Sequence, residues 1–198
     1  ILLRTISSLV EAIEAKDQYT RGHSQRVAYI SNALCRELKC PKKFTDQVTM
    51  AALLHDIGKI GVDDAILRKP GPLTKEEYDI VKQHPVIGRR IIESINLPQT
   101  VNDAVLYHHR RYDGTGYPEE GPAAGELPLS AAILAVADCY DAMITDRPYR
   151  KGMTKAEARK IIEEVSGSQL DPKVVKAYLT IEPQLKPEEA ETQLLYAV

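Results

Sequence analysis

The sequence predicts an all-α protein, folded as one compact helical bundle of about seven to nine helices. Three observations predict it. Apolar residues recur at steps of three and four along most of the chain. No stretch carries the alternating, β-branched pattern of a strand. The length, 198 residues, suits a single domain with a sizeable core.

The elements follow in order. Leu2, Leu3, Ile6, Leu9, Val10 and Ile13 share one face of a first helix, which could pair with its copy in a homodimer or pack on its own domain. Val27, Ile30, Leu34 and Leu38 carry a second helix, closed near Pro41 because proline cannot continue it. Val48, Ala51, Ala52 and Leu54 lead into a third that stops at Gly58, before a Gly/Pro-broken stretch over 61–72. Thr74 and Glu77 have capping-box spacing and open a helix running through Tyr78, Val81, Ile87 and Ile91 toward Ile95. A short helix covers 101–109. Residues 110–128 (RRYDGTGYPEEGPAAGELP) form one long Gly/Pro-rich loop, and loops of that length in a compact domain are usually functional or disordered. Residues 129–145 are apolar nearly all round, as a central buried helix should be. Thr154 and Glu157 repeat the capping spacing ahead of a helix over 154–165, and Pro172 opens another over 172–178. The expected division is a domain over 1–180, with 181–198 as a tail or extra helix.

Composition excludes several functions. With 26 Lys and Arg against 28 Asp and Glu, the net charge of −2 gives no bulk attraction to DNA or to an anionic membrane. No apolar run approaches the roughly 20 residues that span a bilayer; the best, 131–137, stops at Asp138. Cys35, Cys40 and Cys139 are odd in number and form no C-x-x-C pair, which argues against a disulfide scaffold and for a cytoplasmic location. The chain opens on Ile1 in mid-pattern, from which a sensory or receiver domain upstream in a longer parent is expected.

The informative residue is histidine. Only five occur, His23, His55, His84, His108 and His109, each on or at the end of a predicted helix. His55 is followed by Asp56, and His108 and His109 are adjacent. Asp138 stands in the most apolar helix, and a buried carboxylate without a cation or donors costs several kcal/mol. Taken singly these have ordinary readings: a hydrogen-bonded core histidine, a helix cap, an aspartate paired with arginine. A shared site explains them with one cause, since imidazole nitrogen and carboxylate oxygen suit Mn, Fe, Zn or Ni.

LLHDIGKIG (53–61), HHRRYDGTGYP (108–118) and ILAVADCYDAMITDRPYR (133–150) closely resemble the HD-GYP family of the HD phosphohydrolase superfamily. KDQYTRGHSQRV (16–27) and the KPGPLT and HPVIG segments between 69 and 88 belong to the same ordered set, which runs from about residue 2 to 179. The resemblance implies an HD-type helical bundle and a metal-dependent phosphodiesterase. Such an enzyme would cleave cyclic di-GMP to linear pGpG through a metal-bridging hydroxide, with onward hydrolysis to GMP left open. It implies as metal ligands His23, His55, Asp56, His84, His108, His109 and Asp138, with Asp56 bridging two divalent ions, iron or manganese before zinc or nickel. Tyr19 stands where some members carry a glutamate for a third metal, which favours two.

By the same resemblance Asp56 and Lys59 are the catalytic residues, Lys59 as a phosphate contact and stabiliser of the leaving oxygen, with a solvated lysine beside a helix C-terminus as its ordinary alternative. Gly116, Tyr117 and Pro118 form the motif that names the family and are implied as substrate contacts, Tyr117 stacking on a guanine or presenting its hydroxyl, with a turn that carries one packing aromatic as the ordinary alternative. Arg147 and Arg150 grip phosphate through the bidentate fork that arginine offers, with a salt bridge to Asp141 or Asp146 as their ordinary alternative. Asp141 is read as orienting a ligand histidine. Two departures bear on the loop: Arg110-Arg111-Tyr112 replaces the usual Glu-Arg-Trp, and Asp63 replaces a proline. Two other functions remain open: hydrolysis of a different cyclic dinucleotide, or an idle module that binds cyclic di-GMP or meets a protein partner through the 110–128 loop.

Overall fold

Among the described residues, helical periodicity becomes helix. The computed structural model describes residues 14, 22–146 and 151–190; the apolar positions of the expected first helix, Tyr19, Arg147 and Arg150 lie outside them. α1 (His23–Glu37) buries Val27, Ile30 and Leu34 against α2 (Lys42–Leu54). A 3-10 turn, Ile57–Gly61, follows, and then the one-turn helix α3 (Asp64–Leu67). Asp63, at the family's proline position, caps α3: its carboxylate accepts the Ala65 N–H at 2.8 Å.

α4 (Lys75–Val81) starts at the expected capping box. Thr74 accepts the Glu77 N–H at 3.2 Å and Glu77 accepts the Thr74 N–H at 2.6 Å. The apolar repeat predicts one helix on to Ile95, but the structure breaks it at Lys82 and begins α5 (His84–Glu93). Pro85 is the physical reason: it has no N–H to donate, and its ring crowds the carbonyl four residues back, that of Val81. The released Val81 carbonyl accepts instead from His84 Nδ1 at 2.7 Å. The break that ends one helix thus orients a histidine.

α6 (Gln99–Tyr107) precedes the long loop, and α7 (Leu129–Ile144) follows it. α8 (Lys155–Glu164) repeats the capping box with Thr154 and Glu157, and α9 (Pro172–Ile181) comes last. The chain then folds back through two 3-10 turns that bury Leu185 and Ala190, and Lys155 Nζ donates to the Leu185 carbonyl at 2.7 Å. Among the described residues there is no strand, only two isolated bridges, so the all-α bundle is as expected.

α7 is the axis, in contact with α1, α2, α6, α8 and α9. Its Ile133, Leu134, Val136 and Ala137 are fully buried, and each large aliphatic contributes about 1.5–3 kcal/mol by leaving water. Tyr140 meets Tyr178 of α9 edge-on at 5.1 Å. This packing fixes the rotation of α7, and with it Asp138 and Asp141, one turn apart and therefore on one side. No described helix is long and apolar enough to cross a membrane.

Candidate metal centre and its cleft

Helix ends bring the histidines together. His23 opens α1, His55 follows α2, His84 opens α5, and His108 and His109 follow α6. The close approach of the His55 and His84 segments requires Gly58, where a β-carbon would collide with the His84 carbonyl. All seven residues expected as ligands converge. His23, His55 and Asp138 place one donor atom each within 4.8 Å of one another, and so do His84, His108 and His109. Asp56 lies between the two groups: its Oδ1 is 3.4 Å from His84 Nε2, and its Oδ2 is 3.5 Å from His55 Nε2 and 4.0 Å from His23 Nε2.

The imidazoles are held by their far nitrogens. Nδ1 of His55, His84 and His108 donates to the carbonyls of Ala52, Val81 and Val105 at 2.7, 2.7 and 2.8 Å. Each bond reaches three residues back to a carbonyl in the last turn of the preceding helix. His23 Nδ1 donates to Asp141 at 2.7 Å, and Asp141, fully buried, also accepts from Arg26 Nε at 2.7 Å. These bonds leave Nε2 of each ring facing the centre, the arrangement in which a second partner fixes tautomer and direction.

Burial and charge set the protonation states. Burial drives His84 below its ordinary value and His108 well below, and drives His109 down to about 3. Burial would also lower His23, but Asp138 and Asp141 outweigh it and raise the ring to about 10. Burial opposes ionisation of Asp56 and Asp138 as well. Lys59 with the nearby histidines holds Asp56 well below the usual carboxylate range, and His23 first among its neighbours does the same for Asp138.

The donor set fits divalent metal. His84 and His108 both spend their ring proton on a carbonyl, so their Nε2 lone pairs confront each other at 3.2 Å. A cation between such atoms relieves that repulsion, and neutral imidazole with ionised carboxylate is borderline-metal chemistry. His23, His55 and Asp138 could hold one ion and His84, His108 and His109 another, with Asp56 shared.

A cleft of about 610 Å³ opens over this centre, lined by His23, Asp56, His84, His109, Asp138 and Tyr117 and, further out, by Lys69, Pro72 and Leu73. Its volume is that of pockets for small organic ligands. Lys59 also lines it, with its Nζ 2.8 Å from Asp56 Oδ2. Tyr117 lies against His109, ring centroids 4.7 Å apart and 31° from parallel. Gly116 permits this, because at φ 86° a β-carbon would strike the His109 carbonyl.

Two residues of the site, Arg26 and Glu14, escaped sequence reasoning. Arg26 holds Asp141 from α1; its one signal is a place three residues after His23, on the same face. Glu14 accepts the N–H groups of Gly22 and Ser24 at 2.8 and 3.0 Å, and so caps the helix that presents His23. Arg110, noted in sequence only as a departure from the usual glutamate, is buried beneath the loop. Of the salt bridges weighed against Arg147 and Arg150, Asp141 is occupied by Arg26 and His23, while Asp146 accepts the Gly152 N–H at 2.7 Å.

Comparison with known proteins follows the same lines. A family model described as HD domain matches residues 7–174. The chain belongs to the HD domain family. It is 44% identical over 174 residues to a cyclic di-GMP phosphodiesterase of Thermotoga maritima, covering 87% of this chain and 47% of that protein. It is 37% identical over 172 residues to 3'3'-cGAMP-specific phosphodiesterase 3 of Vibrio cholerae, covering 87% and 37%. Among solved structures, an HDG"Y"P protein from Bdellovibrio bacteriovorus superposes with a TM-score of 0.63 at 25% identity, covering 80% of this chain and 51% of that one. The HD-domain chain thus spans less than half the length of these two curated relatives, and the resemblance drawn from its motifs is borne out.

Proposed function

We propose that this HD domain is a metal-dependent phosphodiesterase that hydrolyses cyclic di-GMP to linear pGpG. The observation that carries the reading is the pair of three-donor groups with Asp56 between them, at the floor of a nucleotide-sized cleft. The name of the Thermotoga maritima relative supports the substrate.

In this reading His23, His55, Asp56, His84, His108, His109 and Asp138 hold two divalent ions, iron or manganese. When bound, the ions supply Lewis acidity, making a water nucleophilic near neutral pH and offsetting charge on the phosphate. The chain's own groups do the rest. Main-chain carbonyls and Asp141 lock the imidazoles in one tautomer, so little reorganises during reaction. Lys59 meets the phosphate and the leaving ribose oxygen with its ammonium. Tyr117 and the 116–118 turn bound the cleft beside His109 and orient the nucleotide, and Arg147 and Arg150 grip a phosphate.

A second reading, a 3'3'-cGAMP hydrolase, is favoured by the Vibrio cholerae relative. An equimolar mixture of the two cyclic dinucleotides, offered to manganese-loaded protein and followed by chromatography, separates them. Faster loss of cyclic di-GMP is the expected result. Loss of cGAMP alone establishes the second reading, and loss of neither overturns both.

A further inference from the structure

Arg110 places a buried guanidinium beneath the 110–128 loop. Its residue is 8% exposed. Nη1 donates to the carbonyls of Pro118 and Glu119 at 2.9 and 2.7 Å. Nε and Nη2 donate to the Pro122 carbonyl at 3.4 and 3.3 Å. Every partner found for this side chain among the described residues is a main-chain carbonyl. A buried guanidinium without a carboxylate is costly unless its donors are met, and here the loop meets them by turning its carbonyls inward.

The main chain of Arg110 adds to the connection. It pairs with Gly116 in an isolated antiparallel bridge, and the Tyr117 N–H donates to the His109 carbonyl at 3.3 Å. Arg110 therefore follows directly on His108 and His109 and reaches the residues immediately after Tyr117. Gly121 leaves the space: a β-carbon there would come to 2.9 Å from Tyr107 and 3.3 Å from Arg110 Nε.

We propose that Arg110 is a positioning residue, which sets the place of Tyr117 in the cleft by gathering the carbonyls of Pro118, Glu119 and Pro122 onto one guanidinium. The inference rests on the reading of the cleft as the cyclic di-GMP site. It also gives the arginine in Arg110-Arg111-Tyr112 a task that glutamate cannot perform in this arrangement, since a carboxylate has no proton for a carbonyl. Lysine keeps the charge but loses the planar fork that reaches three carbonyls together.

The test compares Arg110→Met and Arg110→Lys with the unaltered 198-residue chain. Hydrogen exchange of peptides covering 116–125 is expected to quicken at least tenfold in Arg110→Met, and less in Arg110→Lys, with α7 peptides and bound manganese unchanged. In the same proteins KM for cyclic di-GMP is expected to rise at least fivefold while kcat changes less than threefold. Unchanged loop exchange, or KM within twofold of the unaltered chain, overturns the proposal, as does an equal loss of kcat and bound metal. Should Arg110→Met not fold, Arg110→Lys decides by the same readings. An unaltered chain that leaves cyclic di-GMP intact refutes the functional reading instead, and the exchange rates still judge the role of Arg110 in the loop.

Discussion

His84 and His108 turn their Nε2 atoms toward each other at 3.2 Å, while each Nδ1 is already committed to a main-chain carbonyl. Two lone pairs so placed repel, and a cation between them converts that repulsion into attraction. Metal should therefore stabilise the fold. At a hundred times its dissociation constant a ligand adds about 2.7 kcal/mol, which for a chain of this size raises Tm by roughly 5–10 °C. Thermal melts with and without manganese should show this rise, and His84→Ala and His108→Ala should each remove most of it.

Asp141 links Arg26 to His23 without facing the centre as a donor itself. Replacing it by asparagine keeps the volume but weakens the bond that fixes the His23 ring. Asp141→Asn should cost about 10–100-fold in metal affinity or activity, read by metal titration, with the helix content kept. An unchanged affinity and rate would exclude this orienting role.

Lys59 lies 2.8 Å from Asp56 in the cleft. If it meets the phosphate in the transition state, Lys59→Met should lower kcat by about 10²–10³-fold. Elemental analysis should still find the metal content of the unaltered protein, because lysine is not a donor at neutral pH. A loss of metal in parallel with rate would instead make Lys59 a support for Asp56.

Stability of the metal-free protein should depend on pH with a definite sign. His84, His108 and His109 titrate below their ordinary value of 6.5 when folded. Below that value the unfolded chain takes up protons that the folded chain refuses, so stability falls as pH drops. His23, raised to about 10, contributes fully below 6.5 and loses its contribution only as pH rises through 10. Asp56 and Asp138 act in more acid solution, because their lowered values make stability present above the unfolded value of 3.8 and lost beneath it. In chelator, Tm should therefore decline from about pH 7 to pH 5. A flat or rising Tm would contradict the buried neutral imidazoles.

The sequence announced the ligands more clearly than their supports. His55-Asp56 and His108-His109 are adjacent pairs, and Asp138 interrupts an apolar helix, so each stands out locally. Arg26 and Asp141 are 115 residues apart, and no local pattern joins them. Arg110 is marked in sequence as a departure that bears on the loop, but its partners are carbonyls, which every residue carries, so no pattern names them. The helix break at Pro85 was legible in principle, since proline cannot donate to Val81; the apolar repeat through Ile87 and Ile91 hid it.

Metal held by the two donor groups is what would make this cleft a phosphodiesterase. The most direct measurement strips the protein of metal, adds cyclic di-GMP, then restores manganese or iron(II) and follows the nucleotides by chromatography. No product is expected before restoration, and pGpG after it. Intact cyclic di-GMP at a confirmed occupancy of two ions per chain would contradict this expectation.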